Sequence, residues 1–308
     1  MISVEEAQAR ILALKAPVAV ETVPLADAAG RWAAEDVVAL RTQPARDLSA
    51  MDGYAIRFTD AVGPWRVVGE SAAGKQFAGA VDAGEAVRIF TGAVVPDGAD
   101  TVIIQENVAR EGAVVTLTSD APKKAGQNVR HAGGDFVEGA VVVPKGAELH
   151  ARHIALAAMA GHGALQIRRK LRVALVSTGS ELIAPGEPCA EDQIPASNGV
   201  MLAAMLRGLP AELSEFPAVA DDLEALTQQF RALADHDIIV TTGGASVGDH
   251  DLIVPALTAA GGEIVFWKIA MRPGKPVIAG RLGDAVALGL PGNPVSAFVT
   301  AMLYLRPL

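Results

Sequence analysis

The 308-residue chain contains a single cysteine, Cys189. No internal disulfide can form, and a lone thiol fits a reducing compartment. Aromatic residues make up only 4% of the chain, which speaks against a carbohydrate groove or a single-strand platform, where bases stack on aromatic faces. Positive charge is scarce too: 26 Lys and Arg face 35 Asp and Glu, a formal net charge of −9. Nucleic-acid binders normally carry the opposite excess, so that partner class is disfavoured. A small anionic substrate stays open, provided a few cations are placed locally. No apolar run reaches the roughly 18 residues of a membrane span, so no membrane helix is expected. The opening MISVEEAQAR has Glu5 and Glu6 where a signal peptide would be basic and then apolar. These absences together predict a cytoplasmic protein with no membrane and no nucleic-acid partner.

What is present is a 51% hydrophobic chain rich in Ala, Val, Leu and Gly, with 31 glycines and 18 prolines for tight turns. Its length allows two or three domains. Ser3 and Glu6 form a capping box ahead of a helix running to about Leu14. Residues 18–40 read as a short strand, a helical turn broken at Gly30 and a second strand. From about Pro44 to Val143 short β runs follow one another (YAIRF, WRVVGE, AVRIF, TVIIQEN, AVVTLT, AVVVP), punctuated by Gly, Pro and Asp as in an all-β module. The alanine-rich AELHARHIALAAMAGHG is helix-prone. From Leu171 strands and helices alternate. DDLEALTQQFRALADH has Leu223, Leu226, Phe230 and Leu233 on one face, and the last helix starts with Asn293 as N-cap and Pro294 behind it. The alternation predicts a parallel sheet covered on both faces, with ligands at the carboxyl ends of its strands.

The stretch DIIVTTGGASVGDHD, Asp237 to Asp251, carries the most chemistry. A buried-strand signal leads into Gly243, Gly244 and Gly248 and then into a helix start capped by Asp249. Strand, glycine loop and helix N-terminus together hold anions, because backbone N–H groups turn toward the ligand and the helix dipole favours negative charge. Asp249 and Asp251 rule out a bare phosphate unless a divalent cation sits between them. An ordinary strand-to-helix turn accounts for the stretch equally well.

Other patterns are weighed against plainer readings. GASVG (Gly244 to Gly248) matches a nucleophile elbow, but the last histidine is His250, so no later base exists and a serine hydrolase is rejected. GESAAGKQ (Gly69 to Gln76) resembles a P-loop but has Gln76 at the metal-binding position and lies within the β module; it reads as a turn. The six histidines, His150 and His153 among them, lack the partners of a zinc site and read as structural or solvated. In RPGKP, Pro273-Gly274 fits a type II turn that holds Arg272 and Lys275 on either side. STGSEL (Ser177 to Leu182) ends a strand, and LPGNPVS (Leu290 to Ser296) opens a helix.

Taken together and in order, SAMDGYA, TGAVVPDGAD, GGDFVEG, STGSEL, IPASNG, TTGGASVGDHD, RPGKP and LPGNPVS resemble one family, the molybdopterin molybdenumtransferases of MoeA type, related to the gephyrin E domain. The eight motifs cover essentially the whole chain. The resemblance implies an α/β and β multidomain fold. A helical linking domain takes 1–44 plus 144–170, a β-rich domain is inserted at 45–143, and a three-layer α/β molybdopterin-binding domain takes 171–308. It implies a homodimer, with the site formed by one protomer's α/β domain and the other's N-terminal half. The family continues past the position of Leu308 into a C-terminal β domain; a chain ending there is expected to keep substrate binding, with turnover depending on residues of that domain.

The implied reaction inserts molybdate into adenylylated molybdopterin and releases AMP and the molybdenum cofactor, with Mg2+ as the usual cation. The molybdopterin adenylyltransferase is a further expected partner. Carried over residue by residue, Asp52, Glu181, Asp251, Lys275 and Arg272 are the expected catalytic set. Thr91, Asp135, Ser177, Gly179, Asn198, Asp221, Gly243, Gly244, Ser246, Gly248, Pro291 and Pro294 are expected to bind substrate, and Asp251 with Asp249 to hold the metal. Arg272 stands where the family often has lysine, keeping the charge as a planar fork. Two other readings remain: a non-catalytic scaffold binding the pterin nucleotide, and a molybdopterin adenylyltransferase. The long N-terminal half with SAMDGYA argues against the latter.

Overall fold

The computed structural model describes residues 1–14, 18–244 and 252–308, and the chain forms two compact units. One comprises Met1–Glu21 with Arg168–Leu308, the other Thr22–Ile167. Helix α1 (Val4–Leu14) begins where the Ser3 hydroxyl accepts from the backbone N–H of Glu6 at 3.1 Å, as the capping box predicts. Its apolar positions Ala7, Ile11 and Leu14 are buried in the core of the α/β unit. Residues 1–21 therefore belong with that unit rather than with the expected linking domain. Helical periodicity reveals that a face is buried but not what buries it.

The chain then runs through β1 (Val20–Pro24), β2 (Val37–Val38), β3 (Leu48–Ser49), β4 (Gly53–Ile56), β5 (Trp65–Ser71), β6 (Glu85–Ile89) and β7 (Thr101–Ile104). There follow β8 (Val108–Glu111), β9 (Val114–Leu117), β10 (Val129–Arg130), β11 (Val141–Val143), helix α2 (Ala151–Met159) and β12 (Ala164–Arg168). Six of these form a sheet in the order β7-β4-β6-β5-β9-β8. Alternation along β4 sends Tyr54 and Ile56 into a cluster with Trp65, Ile103 and Val115, and Ala55 into one with Ile89 and Val102. Outside that sheet β2 pairs with β11 and β1 with β12, in keeping with the strands read at 18–40 and in AVVVP, and helix α2 lies in the alanine-rich stretch. The β-branched Val37–Val38 and Val141–Val143 fit a pleated surface better than a helix. His150 and His153 cap α2: the His150 N–H donates to Nδ1 of His153 at 3.1 Å, in line with a structural role. The Gly69–Gln76 stretch is a tight turn in which Ala72 and Lys75 exchange backbone hydrogen bonds of 2.9 Å.

The α/β unit continues with β13 (Leu171–Thr178), β14 (Leu182–Ile183), β15 (Ile194–Pro195), α3 (Ser197–Leu206), β16 (Ala211–Val219), α4 (Leu223–Ala232), β17 (Ile238–Thr242) and α5 (Ile253–Ala259). It ends with β18 (Glu263–Trp267), β19 (Ile278–Leu282), β20 (Ala285–Leu290) and α6 (Pro294–Thr300). Its sheet has the order β16-β13-β17-β20-β19-β18. Val173, Leu175, Val240 and Leu288 face α1, α3 and the π-helical turn Ala301–Leu305; Ala174, Val176, Ile239 and Ala287 face α4 and α5. Each Val, Leu or Ile side chain among these withdrawn from water contributes about 1.5–3 kcal/mol against chain entropy, so both faces are held by burial.

Two expectations are corrected here. The sheet is mixed rather than parallel, because β19 runs antiparallel to both β18 and β20. Only Gly283 and Asp284 separate β19 from β20, with Gly283 at φ +58°, and a parallel crossover needs a dozen residues or more. Leu223, expected on the buried face of α4, is 44% exposed at the helix start, while Leu226, Phe230 and Leu233 are buried. Asp222 caps that helix by accepting from the Ala225 N–H at 2.8 Å. Among the described residues no helix is long and apolar enough to cross a membrane.

Candidate functional site

Strands β13, β17 and β20 are parallel neighbours, so Thr178, Thr242 and Leu290 end on one edge of the α/β sheet. Three loops leave that edge and interlock. The Gly243 N–H donates to the Leu290 carbonyl at 3.3 Å, and the Asn198 amide donates to the Gly292 carbonyl at 2.8 Å. The Thr242 hydroxyl lies 3.4 Å from the buried Ser177 hydroxyl. Gly243 (φ +99°) and Gly244 (φ +59°) adopt left-handed backbone, which glycine occupies without steric cost. A Cβ on Gly243 would stand 2.2 Å from the Thr178 carbonyl oxygen. This is the close packing that the glycine-loop reading requires. Asn198 also carries a buried Oδ1 with no partner among the described residues, and the Thr241 hydroxyl on β17 is in the same position.

Glu181 lies exposed beside Gly179; a Cβ on that glycine would meet its carboxylate at 2.6 Å. Asp221 joins the same loop, since its carboxylate accepts from the Ser180 N–H at 3.4 Å and its own N–H donates to the Ser180 hydroxyl at 3.2 Å. Pro291 is buried and Pro294 opens α6, whose N-cap Asn293 accepts from Val295 and Ser296 as the sequence predicts. The structure thus brings Ser177, Gly179, Glu181, Asn198, Asp221, Gly243, Gly244, Pro291 and Pro294 to one edge. Beside it lies a hollow of about 410 Å³, lined by Ser177, Leu182, Ile183, Gly199, Val200 and Phe216 among others.

β18 runs in the same direction as β20, because two antiparallel pairings separate them. Its carboxyl end therefore lies on the same edge, and so does the RPGKP connection. The Arg272–Pro273 peptide is cis, and Gly274 (φ +100°) lies against α6, where a Cβ would meet Thr300 at 2.5 Å. Arg272 and Lys275 are exposed, and among the described residues neither has a carboxylate partner. Ser246, Gly248, Asp249 and Asp251 lie outside the described residues. Among those described, no three His, Cys, Asp or Glu side chains gather for a metal ion.

A second cluster sits in the Thr22–Ile167 unit. Thr91 donates its backbone N–H and its hydroxyl to Asp52 Oδ1, each at 2.8 Å. These bonds, the backbone one foremost, hold the Asp52 carboxyl below its ordinary range, with the nearby Arg88 adding to them. The strand pair β3–β10 lies next to it: the Gly92 N–H donates to the Ser49 carbonyl, and Val129 pairs with Ser49. Arg130, on β10, donates to both oxygens of Asp135 at 3.1 and 3.2 Å. Asp52, Thr91 and Asp135 are thus tied to one framework. Sequence reasoning missed Thr178, whose backbone backs the glycine loop, and Arg88. The alternation of AVRIF, with Val87 and Ile89 buried and Arg88 between them, was the available signal for the latter.

The chain thus combines a three-layer α/β unit, with a glycine turn and two exposed cations at its carboxyl edge, and a β-rich unit. Residues 174–308 match the family described as the probable molybdopterin binding domain, and residues 2–161 match the MoeA N-terminal region, domains I and II. The molybdopterin molybdenumtransferase of Haemophilus influenzae is 38% identical over 100% of this chain and 77% of its own length. That of Synechococcus elongatus is 36% identical over 95% of this chain and 75% of its own. The crystal structure of the molybdopterin biosynthesis MoeA protein from Pyrococcus horikosii superposes with a TM-score of 0.86 at 32% identity, covering 100% of this chain and 79% of that one. The chain belongs to the MoeA family of molybdopterin molybdenumtransferases.

Proposed function

We propose that this protein inserts molybdate into adenylylated molybdopterin, releasing AMP and the molybdenum cofactor. The observation that carries the reading is the pairing, on one sheet edge, of a tightly packed glycine loop with two exposed cations that have no carboxylate partner among the described residues. Both reactants are anionic and the chain is not, on balance, attractive to anions at a net −9. Fixed local cations answer that problem. The Gly243 N–H is spent on the Leu290 carbonyl, so the backbone N–H of Gly244 is the one that suits a phosphate oxygen, and Arg272 and Lys275 suit the oxyanion. The apolar hollow beside Ser177 suits a flat heteroaromatic ring. Catalysis is then mainly positioning and charge neutralisation, with no covalent nucleophile.

Asp249 and Asp251 supply hard carboxylate oxygens, the donor type Mg2+ takes alongside waters and substrate phosphates. They are the residues proposed to hold it. Bound there, the ion would withdraw charge from the phosphoanhydride. Asp52, Thr91 and Asp135 are proposed as the contribution of the β-rich unit, Glu181 and Asp221 as further groups of the α/β edge, and the active species as a homodimer. Within Thr22–Ile167 we assign 45–143 as the inserted β-rich domain. Incubation with adenylylated molybdopterin and molybdate tests the reading. Lys275→Ala should cut molybdate-dependent AMP release while pterin-nucleotide binding persists. Full release by that variant overturns the cation assignment; ATP-dependent adenylylation of free molybdopterin would replace the proposed reaction with another.

A further inference from the structure

Arg88 is held on four sides. Its Nη1 donates to the Gly53 carbonyl at 3.1 Å and its Nη2 to Gln105 Oε1 at 2.6 Å. Its guanidinium lies 4.7 Å from the Phe90 ring centre and 5.2 Å from that of Tyr54, within cation–π range of both. The acceptor it grips, Gly53, directly follows Asp52. Gln105 in turn donates its backbone N–H to the Asp52 carbonyl at 3.0 Å. Asp52, Gly53, Arg88 and Gln105 therefore close a ring of contacts. The ring sits on an unyielding floor, because a Cβ on Gly53 would stand 1.9 Å from the Ile103 carbonyl oxygen. Thr91 occupies Oδ1 of Asp52 with both of its donors, and Oδ2 has no donor among the described residues.

We propose that Arg88 is a positioning residue for Asp52: its guanidinium clamps the peptide after Asp52 between Gly53 and Gln105, so that the carboxylate keeps one oxygen on Thr91 and presents the other to the reaction. The inference rests on the functional role of Asp52 in the proposed reaction. A planar fork that spans two acceptors while lying between two rings does work that a lysine point charge cannot.

The test is a double-mutant cycle on AMP release by the full-length protein, with Arg88→Ala, Asp52→Ala and the pair. Arg88→Ala should lower kcat on the order of tenfold to a hundredfold, as small misplacements of a reacting group do, with KM nearly unchanged. It should cost nothing further once Asp52 is alanine. Additive losses overturn the proposal, as does full restoration by Arg88→Lys. If Arg88→Ala fails to melt cooperatively, Gln105→Ala removes one anchor and serves in its place, with the same expected non-additivity. If Asp52→Ala keeps full AMP release, the role of Asp52 fails rather than the clamp. The clamp is then read from the carboxyl NMR titration of Asp52 in Gln105→Ala, which loosens the clamp without removing a charge; it should move to higher pH, and an unmoved titration overturns the proposal.

Discussion

Thr91 gives both of its donors to one oxygen of Asp52, each at 2.8 Å. An acceptor held this way favours its ionised form, and Asp52 is lowered from its ordinary value chiefly by the Thr91 backbone bond and next by the hydroxyl. Thr91→Val removes the hydroxyl and leaves the backbone donor. Asp52 should then titrate at higher pH. If the ionised carboxylate is the working form, the acid limb of the AMP-release profile moves to higher pH while the plateau at neutral pH changes little. A pH–rate series on the two proteins reads this directly.

Arg169 and Asp237 form a two-pronged pair with both bonds at 2.6 Å, and the Arg172 N–H adds a third at 2.7 Å. Burial pushes the Asp237 carboxyl up, but the Arg169 and Arg172 contacts outweigh it and the net shift is downward. A carboxyl depressed in the folded state contributes stability above its unfolded value, near 3.9. That stability is lost as pH falls through the lower, folded value. Asp237→Asn should cost about 2 kcal/mol at neutral pH. Urea melts of variant and wild type should begin to approach one another as pH falls below about 4 and converge only below the depressed folded value of Asp237.

Gly243→Ala forces a Cβ to within 2.2 Å of the Thr178 carbonyl at φ +99°. The strain is of order 1–3 kcal/mol. Because Gly243 also donates to Leu290, the displaced loop should weaken pterin-nucleotide binding by more than tenfold in calorimetry, with the β-rich unit unaffected.

Asn198 spends its amide on Gly292 and keeps a buried Oδ1 with no partner among the described residues, which leaves an acceptor for a substrate N–H in the proposed site. Asn198→Asp retains an oxygen there but loses the donor and adds negative charge beside an anionic substrate. Affinity should fall by about tenfold or more, roughly 1.4 kcal/mol, and Asn198→Gln should not restore it.

Local features of this fold were legible in the sequence because local chemistry sets them. Ser3 and Asn293 cap as their positions predict, and Ile238–Thr242 is the buried strand its β-branched run announces. What escaped was decided by contacts distant in sequence. The apolar face of α1 finds its partner near the other end of the chain, where Tyr304 and Leu305 lie in the same core. The reversal of β19 turns on a two-residue link whose length was visible but whose consequence was overridden by the expectation of crossovers. At the site, motifs found the residues proposed to contact ligands, whereas Arg88 and Thr178, which touch Gly53 and Gln105 and the glycine loop respectively, carry no motif of their own.

The most direct test is the molybdate dependence of AMP release when the purified protein is mixed with adenylylated molybdopterin and Mg2+. Release that rises with molybdate and saturates, and that is lost with Arg272 and Lys275 both changed to alanine, is the predicted result. Binding of the pterin nucleotide with no molybdate-dependent AMP, or release indifferent to both cations, would contradict the account.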